Sequence, residues 1–213
     1  MLLSLVKKDF ILVKKYALFM AAICFLLPVF FLSRLPEFAG PLAFFISVVY
    51  SIFLLLQYVF LKEYQSPKAA LLLCASPYPR RLMVLGKYVF CLVLYAASSL
   101  IYWINTQIFP ELGRFHWEMA VLIFFMVTIF YSLYIPLEYR LGFESTKVIT
   151  MFIIMACPFA APFILQKGAV IQRYIGLLPP MLFYGTLLFV SLTALVISAC
   201  LSVCFYEHAD LSS

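Results

Sequence analysis

Long apolar stretches alternate with short polar segments along the whole chain, and nearly all Lys and Arg fall between the stretches. The apolar runs occupy residues 16–32, 41–61, 88–109, 119–137, 148–165 and 180–205. Most are close to the ~20 residues a helix needs to cross the hydrocarbon of a bilayer, and the first and fifth require flanking residues or local thinning. The period-2 alternation of a barrel strand is absent. Six membrane-crossing helices are therefore predicted, since only closed backbone hydrogen bonding survives in lipid. Ahead of them, residues 1–15 have a two-sided pattern at helical spacing. Lys7, Lys8, Lys14 and Lys15 share one arc with Ser4, while Leu2, Leu3, Val6, Phe10 and Val13 share the opposite arc. This predicts an amphipathic interfacial helix lying on the inner leaflet. Asp9 falls inside the apolar arc and calls for a basic partner from a neighbouring cytoplasmic segment.

Charge placement orients the chain. One side collects Lys7, Lys8, Lys14, Lys15, Lys62, Lys68, Arg80, Arg81, Lys87, Arg140 and Lys147, and the other has Arg34, Arg114, Lys167 and Arg173. By the positive-inside rule the richer side is cytoplasmic, and an even number of spans puts both termini there. The fold class that follows is an all-α polytopic membrane protein forming one transmembrane domain over residues 1–213. No small-residue cleavage site follows the first run, which is expected to stay in the protein.

Composition agrees: 66% of the residues are hydrophobic and the mean hydropathy is +1.09, against roughly 45–50% apolar residues in ordinary domains. The net charge of +6 belongs to the loop asymmetry and points to no nucleic-acid partner. The sequence contains no G-x-x-x-x-G-K-[ST] segment and no H-E-x-x-H, so neither P-loop nucleotide binding nor zinc-protease chemistry has its residues. Cys200 and Cys204 are one helical turn apart but lack further ligands, and read as packing residues rather than a metal site. The six apolar runs contain no Asp, Glu, Lys, Arg or His, which argues against an ion-coupled pump. Inside the runs, Gln57, Asn105, Thr106 and Gln107 are candidates for a substrate path, although such groups more often bond a neighbouring helix. Pro158 and Pro162 should bend the fifth run.

The loop between the second and third runs, residues 62–87, carries the best functional clue. Pro67 can begin a helix and Pro77 can stop one, with Leu71, Leu72 and Leu73 forming an apolar face between them. A helix that short is marginal alone. It either folds back on the bilayer or docks in a groove of a cytoplasmic partner. A second, compact cytoplasmic loop is expected at residues 138–147.

Three segments together resemble permeases of ABC type-2 exporters: Lys7-Lys8-Asp9-Phe10; residues 73–81 running into Val84-Leu85-Gly86-Lys87-Tyr88; and Pro136-Leu137-Glu138-Tyr139-Arg140-Leu141-Gly142-Phe143-Glu144. The branch they resemble most includes the phenol-soluble-modulin exporter subunits. The resemblance implies a bacterial plasma-membrane permease, working with a second copy or a sister permease and with a separate cytoplasmic ATPase that holds ATP and Mg. No cofactor is expected on this chain. It further implies a coupling helix within 63–79 and ATPase-facing roles for Glu63, Pro67, Leu71, Leu72, Leu73, Ser76, Pro77, Arg80, Arg81 and Glu144. Lys7, Lys8, Asp9 and Phe10 would belong to the interfacial helix. Asp9 and Glu63 would form charge pairs, with Arg80, Arg81 and Lys87 as partners. Cargo would be an amphipathic peptide or another membrane-active molecule. The rival reading is a non-transporting membrane scaffold or assembly subunit, and a membrane enzyme ranks third.

Overall fold

The computed structural model of the protein describes residues 2–34, 40–65, 79–113, 115–152 and 180–208. These build a helical bundle: α1 (Leu2–Arg34), α2 (Pro41–Gln65), α3 (Arg80–Ile108), a 3-10 turn (Pro110–Leu112), α4 (Trp117–Leu141), α5 (described over 143–152) and α6 (Pro180–His208). Proline opens α2 and the 3-10 turn and stands first in α6, positions where its missing N–H has no helical partner to lose. Among the described residues, α1, α2, α3, α4 and α6 are long and apolar enough to cross a membrane.

The helix α2 is the hub. Its inward residues include Phe44, Val48, Ile52, Leu55, Leu56, Val59 and Phe60, with Ala43, Val49 and Phe53 buried on other sides of the same helix. A helix that is apolar all round is one meant to be surrounded, and α1, α3 and α4 pack against it. The helix α6 lies outside, along α4 and α3. Its buried seam is Ser191, Leu195, Ser198 and Ser202, while Leu182, Phe189, Val196 and Ile197 stay exposed. Small residues let membrane helices approach closely. Here they also bond: Tyr88 of α3 shares hydrogen bonds with Ser198 at 2.6 Å and Ser202 at 2.8 Å. Ser198 in turn donates to the Ser132 carbonyl of α4 at 2.6 Å.

Three expectations change. The segment expected as a separate interfacial helix over 1–15 continues without a break into the first span, as one helix of 33 residues. At 1.5 Å per residue it is about 50 Å long, well beyond the hydrocarbon core. Its inward stripe is Leu5, Val6, Asp9, Val13 and Met20, and Leu3, expected on the apolar arc, is exposed. Second, the loop expected over 62–87 is shorter, because α2 runs to Gln65 and α3 begins at Arg80. Glu63 and Lys87 are thus helical residues. Third, the loop expected over 138–147 shrinks to a break at Gly142. Gly142 has φ +78°, which is left-handed space where a side chain is strained. Its N–H caps α4 on the Glu138 carbonyl at 3.0 Å, and its own carbonyl accepts from Thr146 N–H at 3.2 Å to start α5. Most of the expected fifth span, with Pro158 and Pro162, lies outside the described residues, as does the coupling segment with Pro67, Leu71, Leu72, Leu73, Ser76 and Pro77.

Candidate functional site

The lysine-rich end of the bundle brings together residues far apart in sequence. The first turns of α1 carry Lys8 and Asp9, the last turns of α2 carry Glu63, and the early part of α3 carries Lys87. The Lys87 ammonium donates to Glu63 Oε1 at 2.7 Å and to Asp9 Oδ1 at 3.2 Å. Lys8 makes the matching pair, 2.9 Å to Glu63 and 3.2 Å to Asp9. Two cations and two anions thus close a four-membered network across three helices. The Lys87 and Asp9 side chains are only 4% and 3% exposed, whereas Lys8 and Glu63 are 30% and 33% exposed.

Burial explains why the network is closed rather than a set of separate pairs. A charge removed from water must be paired and hydrogen-bonded, or it costs several kcal/mol. Asp9 sits on the stripe of α1 that packs into the bundle and has no route to solvent, so it takes both lysines. Lys87 uses a second acid for its remaining donors, and the Phe60 ring lies 5.3 Å from its nitrogen. Beside the network, Phe10 and Phe90 pack edge to face at 4.8 Å. The sequence had called for a basic partner for Asp9 from a neighbouring segment, and Lys87 supplies it alongside Lys8. Lys87 meets Asp9 within this chain, between α1 and α3.

The same end of α2 holds the third sequence segment. Tyr64 stacks on Phe143 at 5.6 Å, and its hydroxyl donates to Glu144 Oε1 at 3.1 Å. Phe60 meets Tyr139 at 5.9 Å, and Tyr139 meets Tyr206 of α6 at 5.1 Å. The Arg140 guanidinium lies over Phe205 at 5.6 Å. Described residues from all three segments that carried the family resemblance, Lys8 and Asp9, Lys87, and Tyr139, Phe143 and Glu144, therefore meet around the last turns of α2. Sequence reading had not foreseen Tyr64, Phe143 or Tyr139 as contacts. The available signal was aromatic residues flanking the helix-breaking Gly142.

One acid in this region lacks full satisfaction. Tyr134 and Glu138, one turn apart on α4, are 3% and 6% exposed. Neither the Tyr134 hydroxyl nor Glu138 Oε2 meets a hydrogen-bond partner of good geometry among the described residues.

The remaining candidates are dispersed. Arg80 starts α3 and Arg81 is exposed beside it. Lys7 is exposed on the lysine arc of α1. Of the substrate-path candidates, Asn105 is fully buried and donates to the Phe25 carbonyl of α1 at 3.2 Å. That carbonyl adjoins the Cys24 carbonyl, whose helical donor is missing at Pro28, so Asn105 bonds α1 within the turn that the proline loosens. Thr106 is buried and bonds its own helix at the Trp103 carbonyl, 2.7 Å away. Gln107 is exposed and Gln57 half-buried. The Asn105–Gln107 cluster therefore does not present one common polar face. No cluster of three or more metal-ligating side chains forms among the described residues.

No curated protein and no solved structure matches the chain. A family model described as "ABC-2 family transporter protein" matches residues 4–207, from the first turn of α1 to the last turn of α6. The chain belongs to that family: it is a multi-pass membrane component of an ABC transporter, of the kind that partners with a cytoplasmic ATPase.

Proposed function

We propose that this chain is the transmembrane permease subunit of an ATP-driven exporter in a bacterial plasma membrane. In this reading it pairs with a second copy or a sister permease, and each permease engages a separate cytoplasmic ATPase that holds ATP and Mg. Residues 66–79, with Leu71, Leu72 and Leu73, form the coupling segment that the ATPase pushes. The observation that carries the reading is the position of the ionic network. It ties α1 to the two helix ends, α2 at Gln65 and α3 at Arg80, that flank this segment. A displacement of the segment would move three helix ends as one body, and the Tyr64–Phe143 stack would pass it to α5. Cargo is an amphipathic peptide or another membrane-active molecule, as in the phenol-soluble-modulin branch that the sequence resembles.

Purification from native membranes in mild detergent, with co-purifying chains identified by mass spectrometry, tests this. Near-equal recovery of a cytoplasmic ATPase is expected, and Leu72→Glu should cut that recovery at least tenfold while leaving membrane insertion unchanged. Recovery without any ATPase, in a detergent shown to spare a known exporter, would overturn the proposal in favour of a non-transporting scaffold.

A further inference from the structure

An open groove of about 310 Å³ runs down the outside of the bundle between α1, α2 and the first turns of α5. Its walls are apolar over most of their length, with buried Met20 and Leu55 at its floor, exposed Phe19 and Leu54 on its flanks, and Leu61 nearer the lysine-rich end. Tyr16 and Tyr58 face each other along it, ring centroids 4.0 Å apart. At that same end the walls change character. Lys147 lines the groove itself, the Lys62 ammonium lies 5.5 Å from the Tyr58 ring, and exposed Lys15 precedes Tyr16. No carboxylate lines it among the described residues, and Glu144, one turn before Lys147, is engaged by Tyr64. The groove is thus an apolar slot capped by lysines at the end nearest the start of α1.

We infer that this groove is a binding site for an anionic phospholipid of the inner leaflet, one acyl chain lying along Phe19 and Leu54 and the phosphate held by Lys147, Lys62 and Lys15. The occupant follows from charge complementarity. Lys147 is the only charged side chain lining the groove among the described residues, and Lys62 and Lys15 flank it, so a zwitterionic lipid gains little there, while an anionic headgroup gains roughly fivefold in binding per lysine. The apolar slot adds position: it fixes the chain beside α1 and α2, whereas a diffuse basic surface would fix none. The volume, at the lower end of small-ligand sites, accommodates part of one chain and leaves the rest in the bilayer.

The test uses the full chain reconstituted in phosphatidylcholine vesicles containing phosphatidylglycerol, with brominated chains on one lipid or the other. Trp103 and Trp117, the two native tryptophans, are replaced by Phe, and a reporter is introduced as Phe19→Trp or, in a second variant, Leu54→Trp. Brominated phosphatidylglycerol should quench either reporter at a mole fraction at least fivefold lower than brominated phosphatidylcholine. Lys147→Glu should erase that preference, and Lys7→Glu, on exposed α1 surface away from the groove, should leave it intact. A reporter at Phe189→Trp on the exposed face of α6 should show no preference. Equal quenching by both lipids would overturn the inference and make the groove ordinary lipid-facing surface. Quenching by neither would overturn it in favour of a second copy or another protein segment covering the groove. Equal loss with Lys7→Glu and Lys147→Glu would overturn it in favour of diffuse attraction.

Discussion

The two ends of the bundle are held together by different physics. At the lysine-rich end, α1, α2 and α3 are joined by the Lys8–Asp9–Glu63–Lys87 network, with contacts of 2.7–3.2 Å. At the opposite end, Phe44 stacks on Tyr102 at 4.4 Å, Phe115 packs against both, and the Tyr102 hydroxyl donates to the Gly40 carbonyl at 3.0 Å. The aromatic end loses only local contacts when one group is removed. The ionic end, losing one member, retains an uncompensated charge beside the buried side chains of Asp9 or Lys87. An ionic joint of this kind penalises any helix displacement that separates its members, which suits the end next to the segment that is proposed to receive the ATPase.

The contrast can be broken in order of size. Lys87→Ala should cost about 3–5 kcal/mol, because it leaves Asp9 buried with only partly exposed Lys8. The double variant Asp9→Leu, Lys87→Met should lose far less, since a buried pair exchanged for apolar side chains of similar size is often close to neutral. Thermal unfolding of the detergent-solubilised protein measures both, and a double variant as unstable as Lys87→Ala would remove the ionic account of this joint. Gly142→Ala comes next at about 1–3 kcal/mol, the cost of forcing a side chain into left-handed φ. Nothing crowds the position, so the loss is conformational, and because ψ is 170°, outside the left-handed helical well that asparagine tolerates, Gly142→Asn should recover none of it. At the aromatic end, Tyr102→Phe should cost about 1 kcal/mol for the lost bond to Gly40, with stacking on Phe44 retained. Lys7→Ala should change stability by less than about 0.5 kcal/mol in the same assay, because Lys7 is exposed on the same helix. A Tyr102→Phe loss equal to that of Lys87→Ala would show that the two ends are not energetically distinct.

Much of the architecture was legible in the chain. Five of the six apolar runs coincide with the bodies of helices α1, α2, α3, α4 and α6, because hydrocarbon forces long apolar segments to satisfy their backbones internally. The misplaced boundaries all lie at the lysine-rich end, where charged residues were read as loop. Glu63, Lys87 and Glu138 extend helices beyond the apolar runs because packed neighbours or opposite charges accompany them into the bundle. Asp9 was a position where the residue pattern itself pointed at a hidden contact, since an acid on an apolar arc demands a partner, and the family resemblance had paired Glu63 as well, with Lys87 among its partners. Asn105 shows the converse: its polarity was visible, but its bond to the turn loosened by Pro28 depends on α1 and α3 lying side by side.

By itself, then, the sequence determined that the chain lives in a bilayer, where its helices run, which end carries the lysines and which family's motifs it bears. Those follow from composition and spacing, which act locally or through the solvent. Only the tertiary structure decided that Lys87 answers both Asp9 and Glu63, that Lys8, Lys87 and Phe143 from distant parts of the chain meet around the last turns of α2, and that an apolar groove opens beside Lys147. These depend on which helices are neighbours, and helix–helix contact in a membrane is set by side-chain fit and buried polar pairing, neither of which is written in hydropathy.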